Sequence, residues 1–459
     1  MKDLTEGPIP AHLVSMAVPI AIGMVFQTLY QLVDLYFVAK LGDSSIAGVS
    51  SAANLQFLIM ALTQVLGVGT MALIAQATGR KDQAHANLIF NQSLGLSLLC
   101  GVLTLAVGYT LAPLYMRTLG ADPATMEAGT TFLYWFLPGL GLQFALISMG
   151  SALRGTGIVK PTIIVQILSV SLNALLCPIL ISGWLTGMPM GVAGAGLATS
   201  LSVAVGVVLM LVYFLKLENY VTFSRGLFAP RILPLKRILA VGLPPGGEFA
   251  LLFVYMAVIY WVIRGFGAEA QAGFGVGSRV MQAIFLPAMA LAFAVGPVAG
   301  QNFGAGIPDR VRTTFRTAMI LLAVSMLALT LVCQLRPGWL IALFTTEAGV
   351  VAAGAEFLHI ISFNFVATGV VFTCSGMFQA MGNTIPSLAA SGTRLVTFVM
   401  PAIWMTGQPW FELHDLWYLS VATVTLQAAV AWWLVAREMK VKLKHLAPVR
   451  APDVMPSTV

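Results

Sequence analysis

Apolar residues run along this chain in long blocks without alternation, separated by short polar connections. Twelve blocks stand out, at roughly 12–39, 46–77, 87–115, 127–153, 160–182, 190–215, 236–263, 270–300, 313–335, 352–379, 385–407 and 414–436. A helix needs about 20 consecutive apolar residues to cross a bilayer. A spanning barrel would instead show segments of about ten residues with alternating polarity. The pattern therefore predicts an all-α polytopic membrane protein with twelve transmembrane helices.

The pattern also repeats. A shift of 225 residues pairs Pro19 with Pro244, Tyr30 with Tyr255, Gly42 with Gly267, Gln76 with Gln301, Gly79 with Gly304, Gly157 with Gly382 and Pro161 with Pro386. Glycines and prolines dominate because backbone geometry is what recurs. Six spans per repeat make the two halves enter the membrane the same way, as parallel repeats facing each other across a cleft. The expected division is an N-lobe over 1–215, a cytoplasmic linker over 216–235, a C-lobe over 236–436 and a cytoplasmic tail over 437–459.

Composition agrees: 58% of the 459 residues are hydrophobic and 9% charged, against about a quarter charged in ordinary soluble chains. The net charge of +7 raises the question of nucleic acid, and its distribution answers it. With the amino terminus inside, 18 of the 24 Lys and Arg fall on inner connections and the tail, four on outer connections, and Arg279 and Arg394 within spans. Such a bias is the positive-inside signal, so no nucleic-acid partner is needed. Both termini are expected on the cytoplasmic side of the inner (plasma) membrane. The acidic, proline-bearing start MKDLTEGPIP lacks the features of a cleaved signal. The four cysteines lie in apolar runs without CxxC spacing, so neither a disulfide framework nor a metal site is expected.

The candidate chemistry centres on the first span. Asp34 is a carboxylate within an apolar run, and a charge at membrane depth is a functional-site hypothesis by default. Its repeat-mate is Ile259, so the scaffold does not require an acid there. Pro19 is placed to bend the same helix. An acid among apolar neighbours can take up and release a proton during a cycle. Tyr30 and Gln27 lie one and two turns away on the same face. Glu248, in GLPPGGEF, is the clear acid of the second half, one turn beyond Pro244-Pro245. Partnership with a nearby cation and a transport role are equally open for it.

Several stretches resemble the multidrug and toxic compound extrusion (MATE) family. They are the first-span set Pro19, Tyr30, Asp34, Leu41 and Gly42; AQATGRKDQA from Ala75; LRGTG followed by Lys160-Pro161; GQNFGAG from Gly300; and AMGNTIP from Ala380. The resemblance covers essentially the whole chain, in order. It implies two six-helix lobes forming a V-shaped cleft and a cation-coupled antiporter that exports amphipathic, often cationic, organic compounds, acting as a monomer without a bound cofactor.

The features look closer to the DinF-like branch than to the NorM-like one. The stretch from Phe363 to Thr373 holds no acid where the NorM-like pattern has one. The DinF-like pattern pairs the first-span Asp with N-x3-D on the fifth span. Here Asn173 is present, but Cys177 stands at the second carboxylate position. The resemblance thus implies Asp34 as a lone proton site with Asn173, Tyr30 and Gln27 around it. The proton gradient is the expected energy source and sodium the alternative. For Tyr30, Gln27 and Asn173, interhelical packing remains as consistent as direct participation. Met24, Thr199 and Glu248 are candidates for the substrate cleft. A lipid-linked oligosaccharide flippase is a further alternative, but its phosphates would call for a strongly cationic cleft. An enzyme is not expected, since no nucleophile, nucleotide-loop or HExxH motif is present.

Overall fold

The structure, a computed structural model, describes residues 1–119, 122–185 and 187–446, apart from the side chains at positions 31, 32, 34 and 35. Its first lobe comprises α1 (Ile9–Ala39), α2 (Asp43–Gly79), α3 (Gln83–Leu119), α4 (Pro123–Gly155), α5 (Lys160–Ile181) and α6 (Val192–Lys216). The second comprises α7 (Ile232–Ile263), α8 (Ala268–Gly304), α9 (Pro308–Leu335), α10 (Pro337–Ala342), α11 (Ala348–Ile361), α12 (Asn364–Ala380), α13 (Ile385–Met405) and α14 (Leu413–Lys444). Eleven of these are individually long and apolar enough to cross a membrane, and the pair α11–α12 passes only as a unit. The fold is thus the expected all-α membrane protein with two parallel repeats and a V-shaped cleft.

The repeat is visible in the backbone. Helices α2 and α8 each run 37 residues and start 225 positions apart. Each is entered through a glycine at positive φ, Gly42 at 102° and Gly267 at 91°, a conformation that a Cβ disfavours.

The tenth span departs from the single helix expected over 352–379. It breaks at Ser362-Phe363 with a bend of 56°, whereas its repeat-mate α4 runs unbroken through Pro138. A break frees backbone carbonyls, which need donors inside a membrane. Helix α9 supplies them: Thr330 Oγ1 donates to the Ser362 carbonyl at 3.0 Å and Gln334 Nε2 to the His359 carbonyl at 2.6 Å. The short α10 between α9 and α11 is also absent from the sequence reading.

Two large apolar cores follow the lobes, except where elements cross between them. The amino-terminal stretch and the first half of α1, including Leu4, Leu13, Met16 and Ile20, pack into the second-lobe core with Val295, Val298 and Phe378. Val38, near the other end of α1, belongs to the first-lobe core. Helix α1 therefore crosses from one lobe to the other.

The segment between α6 and α7 is docked rather than loose. Side-chain amides spaced along the first turns of α3 grip its backbone. Gln83 donates to the Tyr220 carbonyl at 2.9 Å, Asn91 donates to Thr222 O and accepts from Ser224 N–H at 2.9 Å each, and Gln92 accepts from Arg231 N–H at 2.8 Å. Replacing Asn91 with Leu strands two backbone groups, at about 1–3 kcal/mol each if they stay buried. The expected result is faster tryptic cleavage at Arg225 and Arg231 in the folded protein. Cleavage at the wild-type rate would show that the amide grip is dispensable.

Candidate functional site

At the end where α2 and α8 finish, the lobes are tied by a reciprocal pair of amides. Gln76 Nε2 donates to the Ala380 carbonyl at 2.8 Å, and its repeat-mate Gln301 donates to the Gly155 carbonyl at 3.0 Å. The acceptors are themselves repeat-mates. Here α2 and α8 touch backbone to backbone, because a Cβ on Gly79 would collide with Gln301 O and one on Gly304 with Gln76 O. Such small-residue approaches are how membrane helices gain packing energy without a hydrophobic drive.

The amino-terminal segment threads the same junction. Leu4 N–H donates to Gln301 Oε1 at 2.9 Å, Lys2 N–H to the Thr156 carbonyl at 2.9 Å, and Arg310 reaches the Leu4 and Gly7 carbonyls at 3.2 and 3.0 Å. One short stretch is thus bonded to both lobes. Away from this sealed end the lobes diverge. Phe57 of α2 and Phe253 of α7, with ring centroids 5.6 Å apart, are an edge-to-face contact between them.

The first-lobe candidates gather along α1 and α5. Gln166 Nε2 donates to Gln27 Oε1 at 3.1 Å, and Gly23 packs against Gln166 and Ile163. The two helices run parallel, so advancing both by seven residues brings position 34 level with Asn173. The Asp34 side chain itself lies outside the described residues; its backbone sits five residues before the end of α1. Asn173 is fully buried, and its Nδ2 has no hydrogen-bond acceptor among the described residues. Its Oδ1 accepts from Cys177 Sγ at 3.5 Å, one turn on. The Tyr30 hydroxyl oxygen is buried. Helix α1 continues through Pro19 without interruption, although a proline there removes one backbone bond.

The other candidates are dispersed. Met24 is half-buried against the second-lobe core. Thr199 is buried, with its hydroxyl bonded to Ala195 O of its own helix at 3.2 Å. Glu248 lies inside the second lobe beside Ser387 of α13, and its Oε1 is buried with no hydrogen-bond partner among the described residues.

Glu248 turns out to be one member of a polar column between α7, α12, α13 and α14. The Arg394 guanidinium sits 4.2 Å from the Tyr255 ring centroid. Tyr255 Oη and Ser420 Oγ are 2.9 Å apart, and Gln427 Nε2 donates to Ser391 Oγ at 3.2 Å. The sequence reading left this column unassembled. Its signal is the helical spacing of Ser387, Ser391 and Arg394 on α13 and of Ser420, Thr423 and Gln427 on α14.

The family model described as MatE matches residues 19–179 and 244–405, one block in each repeat. The probable multidrug resistance protein YpnP of Bacillus subtilis (strain 168) is 28% identical over 424 residues, spanning 90% of both chains. The multidrug export protein MepA of Staphylococcus aureus (strain MSSA476) is 24% identical over 425 residues, 89% of this chain and 92% of its own. Among solved structures, a MOP superfamily transporter from Pyrococcus furiosus superposes with a TM-score of 0.88 at 27% identity, over 96% of this chain and 98% of that one.

Proposed function

Because the chain belongs to the MatE family, a family of multi-pass membrane transporters, we propose that it exports amphipathic organic compounds in exchange for protons, by alternating access. The observation that carries this reading is a cleft sealed at one end by reciprocal ties between repeats. Contacts of this kind, made by side-chain amides and close approaches of small residues, can be broken and remade as the lobes rock. The relatives named for multidrug resistance and multidrug export support a drug-like cargo.

The sealed end is proposed to face the cytoplasm, a reading that the distribution of Lys and Arg supports, and the cleft then opens outward. Asp34 is proposed as the protonation site. Its position is level with Asn173, whose buried amide lacks an acceptor among the described residues. Ionised, Asp34 would accept hydrogen bonds that the protonated acid would give up, so each state favours a different arrangement of α1. Pro19, with its missing backbone bond, is where α1 would flex. Since α1 joins both cores, a change at position 34 reaches the lobe–lobe junction through one helix.

The test is accumulation of a fluorescent drug in cells expressing the protein. Collapsing the proton gradient is expected to return accumulation to the level of cells lacking the transporter, while omitting sodium leaves export intact. Loss of export on sodium omission alone would overturn proton coupling. No difference between expressing and non-expressing cells would overturn export of that class of cargo.

A further inference from the structure

Arg279 lies within a membrane-spanning helix, is exposed, and makes no ion pair among the described residues. An arginine at that depth faces protein or a water-filled cavity and not lipid tails. The remainder of α8 shows which. Helix α8 is continuous through Pro287 and Pro297, and at regular helical spacing positions 300 and 304 fall within about 60° of position 279 around it. In the sealed half these two residues meet Ala75 and Gln76 of α2. The face of α8 that carries Arg279 is therefore the face turned toward the other lobe. In its outer half that face is uncovered: Gln282 and Ala283 are exposed, and a Cβ on Gly275 would meet nothing within 4 Å.

The repeat places a second donor opposite. Position 54 on α2 is the mate of 279, and Asn54 is also exposed. It shares its helix face with Ala75, Gln76 and Gly79 by the same spacing. Both residues stand eleven positions past the start of their helices, about 16 Å along each axis, so they are level across the cleft. Of the other charges on α7 and α8, Lys236, Arg237, Arg264 and Glu269 lie near helix ends, and Glu248 is turned toward α13.

We infer that Arg279 and Asn54 form a recognition site for an acidic head group, a carboxylate, sulfonate or phosphate, on an amphiphile seated in the cleft. A guanidinium pairs such groups through two parallel N–H donors, and a facing amide adds a third. The apolar walls around them, with Phe57 and Phe253 below, take the rest of the molecule. The cargo is then anionic or zwitterionic, which departs from the cationic compounds that the family resemblance implies. The inference rests on the export reading only in calling this ligand a cargo.

The experiment compares two dyes with one ring system and opposite charge, fluorescein and rhodamine 6G, by fluorescence polarisation. The full chain is reconstituted in phosphatidylcholine nanodiscs, so no transport is required. Wild-type protein is expected to bind fluorescein at least about tenfold more tightly than rhodamine 6G. Arg279→Glu should reverse the order, Arg279→Lys should keep it, and Asn54→Ala should weaken fluorescein alone. A preference unchanged in Arg279→Glu would overturn the site, as would an Arg279→Lys protein that behaves like Arg279→Glu. Wild-type protein that favours rhodamine 6G, or binds neither dye, would also overturn it. Repeating the titration with phosphatidylglycerol in the discs separates the sources. Competition assigns the site to a lipid head group, and unchanged affinity assigns it to a soluble amphiphile. Binding of fluorescein without gradient-driven movement of either dye would leave the site standing and remove export.

Discussion

Asp34→Asn should reduce gradient-driven export to background while the protein still folds and binds its cargo. Asparagine matches the carboxyl group in size and keeps an acceptor oxygen for a donor such as Asn173 Nδ2. It cannot exchange a proton, so on the proposed mechanism α1 loses the event that switches its arrangement. Because antiport couples two flows, losing one stops net export and does not merely slow it. The measurement is drug accumulation beside cargo affinity of the purified protein and its thermal unfolding temperature. Export at half the wild-type rate or more would eliminate Asp34 as the protonation site. Loss of export together with unfolding would make Asp34 a packing residue. Asn173→Ala should give a smaller loss, since it removes a partner and not the proton.

The second large effect lies at the sealed end. In Gly304→Val the new side chain meets the Gln76 carbonyl, and the neighbouring crossing at Gly79 and Gln301 leaves no slack. The colliding atom is backbone, so no rotamer change relieves it. Ordinary overpacking costs about 1–3 kcal/mol, and here the lobes relieve it by parting. Export is expected to fall at least tenfold. Closure can be read directly from Ala72, which is fully buried in a small cluster with Val68 of its own helix and Val241 of the facing lobe. In a variant lacking native cysteines, Ala72→Cys should resist a water-soluble maleimide and become reactive when combined with Gly304→Val. Gly304→Ala should fall between the two. Full export and unchanged labelling in Gly304→Val would show that the junction is not tight.

Much of the candidate site was legible because membrane helices keep their spacing. The one-turn and two-turn offsets of Tyr30 and Gln27 from Asp34 are fixed by helix geometry alone, and the α1–α5 register carries the same offset to Asn173. Glu248 was legible as an intramembrane acid, but not its direction. Its neighbour Ser387 lies 139 residues away in the chain, and only the packing of α7 on α13 joins them. In the sequence Gln76 and Gln301 are one pair of repeat-mates among several. Their role became apparent once each was seen bonding across the junction to the other's lobe.

By itself the sequence determined the class, the span count and the repeat. Long apolar blocks without alternation admit only helices in a bilayer, and a constant 225-residue offset spanning six helices per repeat admits only parallel halves. It also determined that the acid on the first span has no acid at its repeat-mate, Ile259, on the seventh. The tertiary structure decided everything that depends on which faces meet. It broke the tenth span, because donors on α9 stand ready for the freed carbonyls. It carried the first half of α1 into the opposite core, where apolar contacts ignore the order of the chain. And it turned Arg279, one more charge in a hydropathy plot, toward an open cleft, because its helical face is the one that seals the lobes about six to seven turns further on.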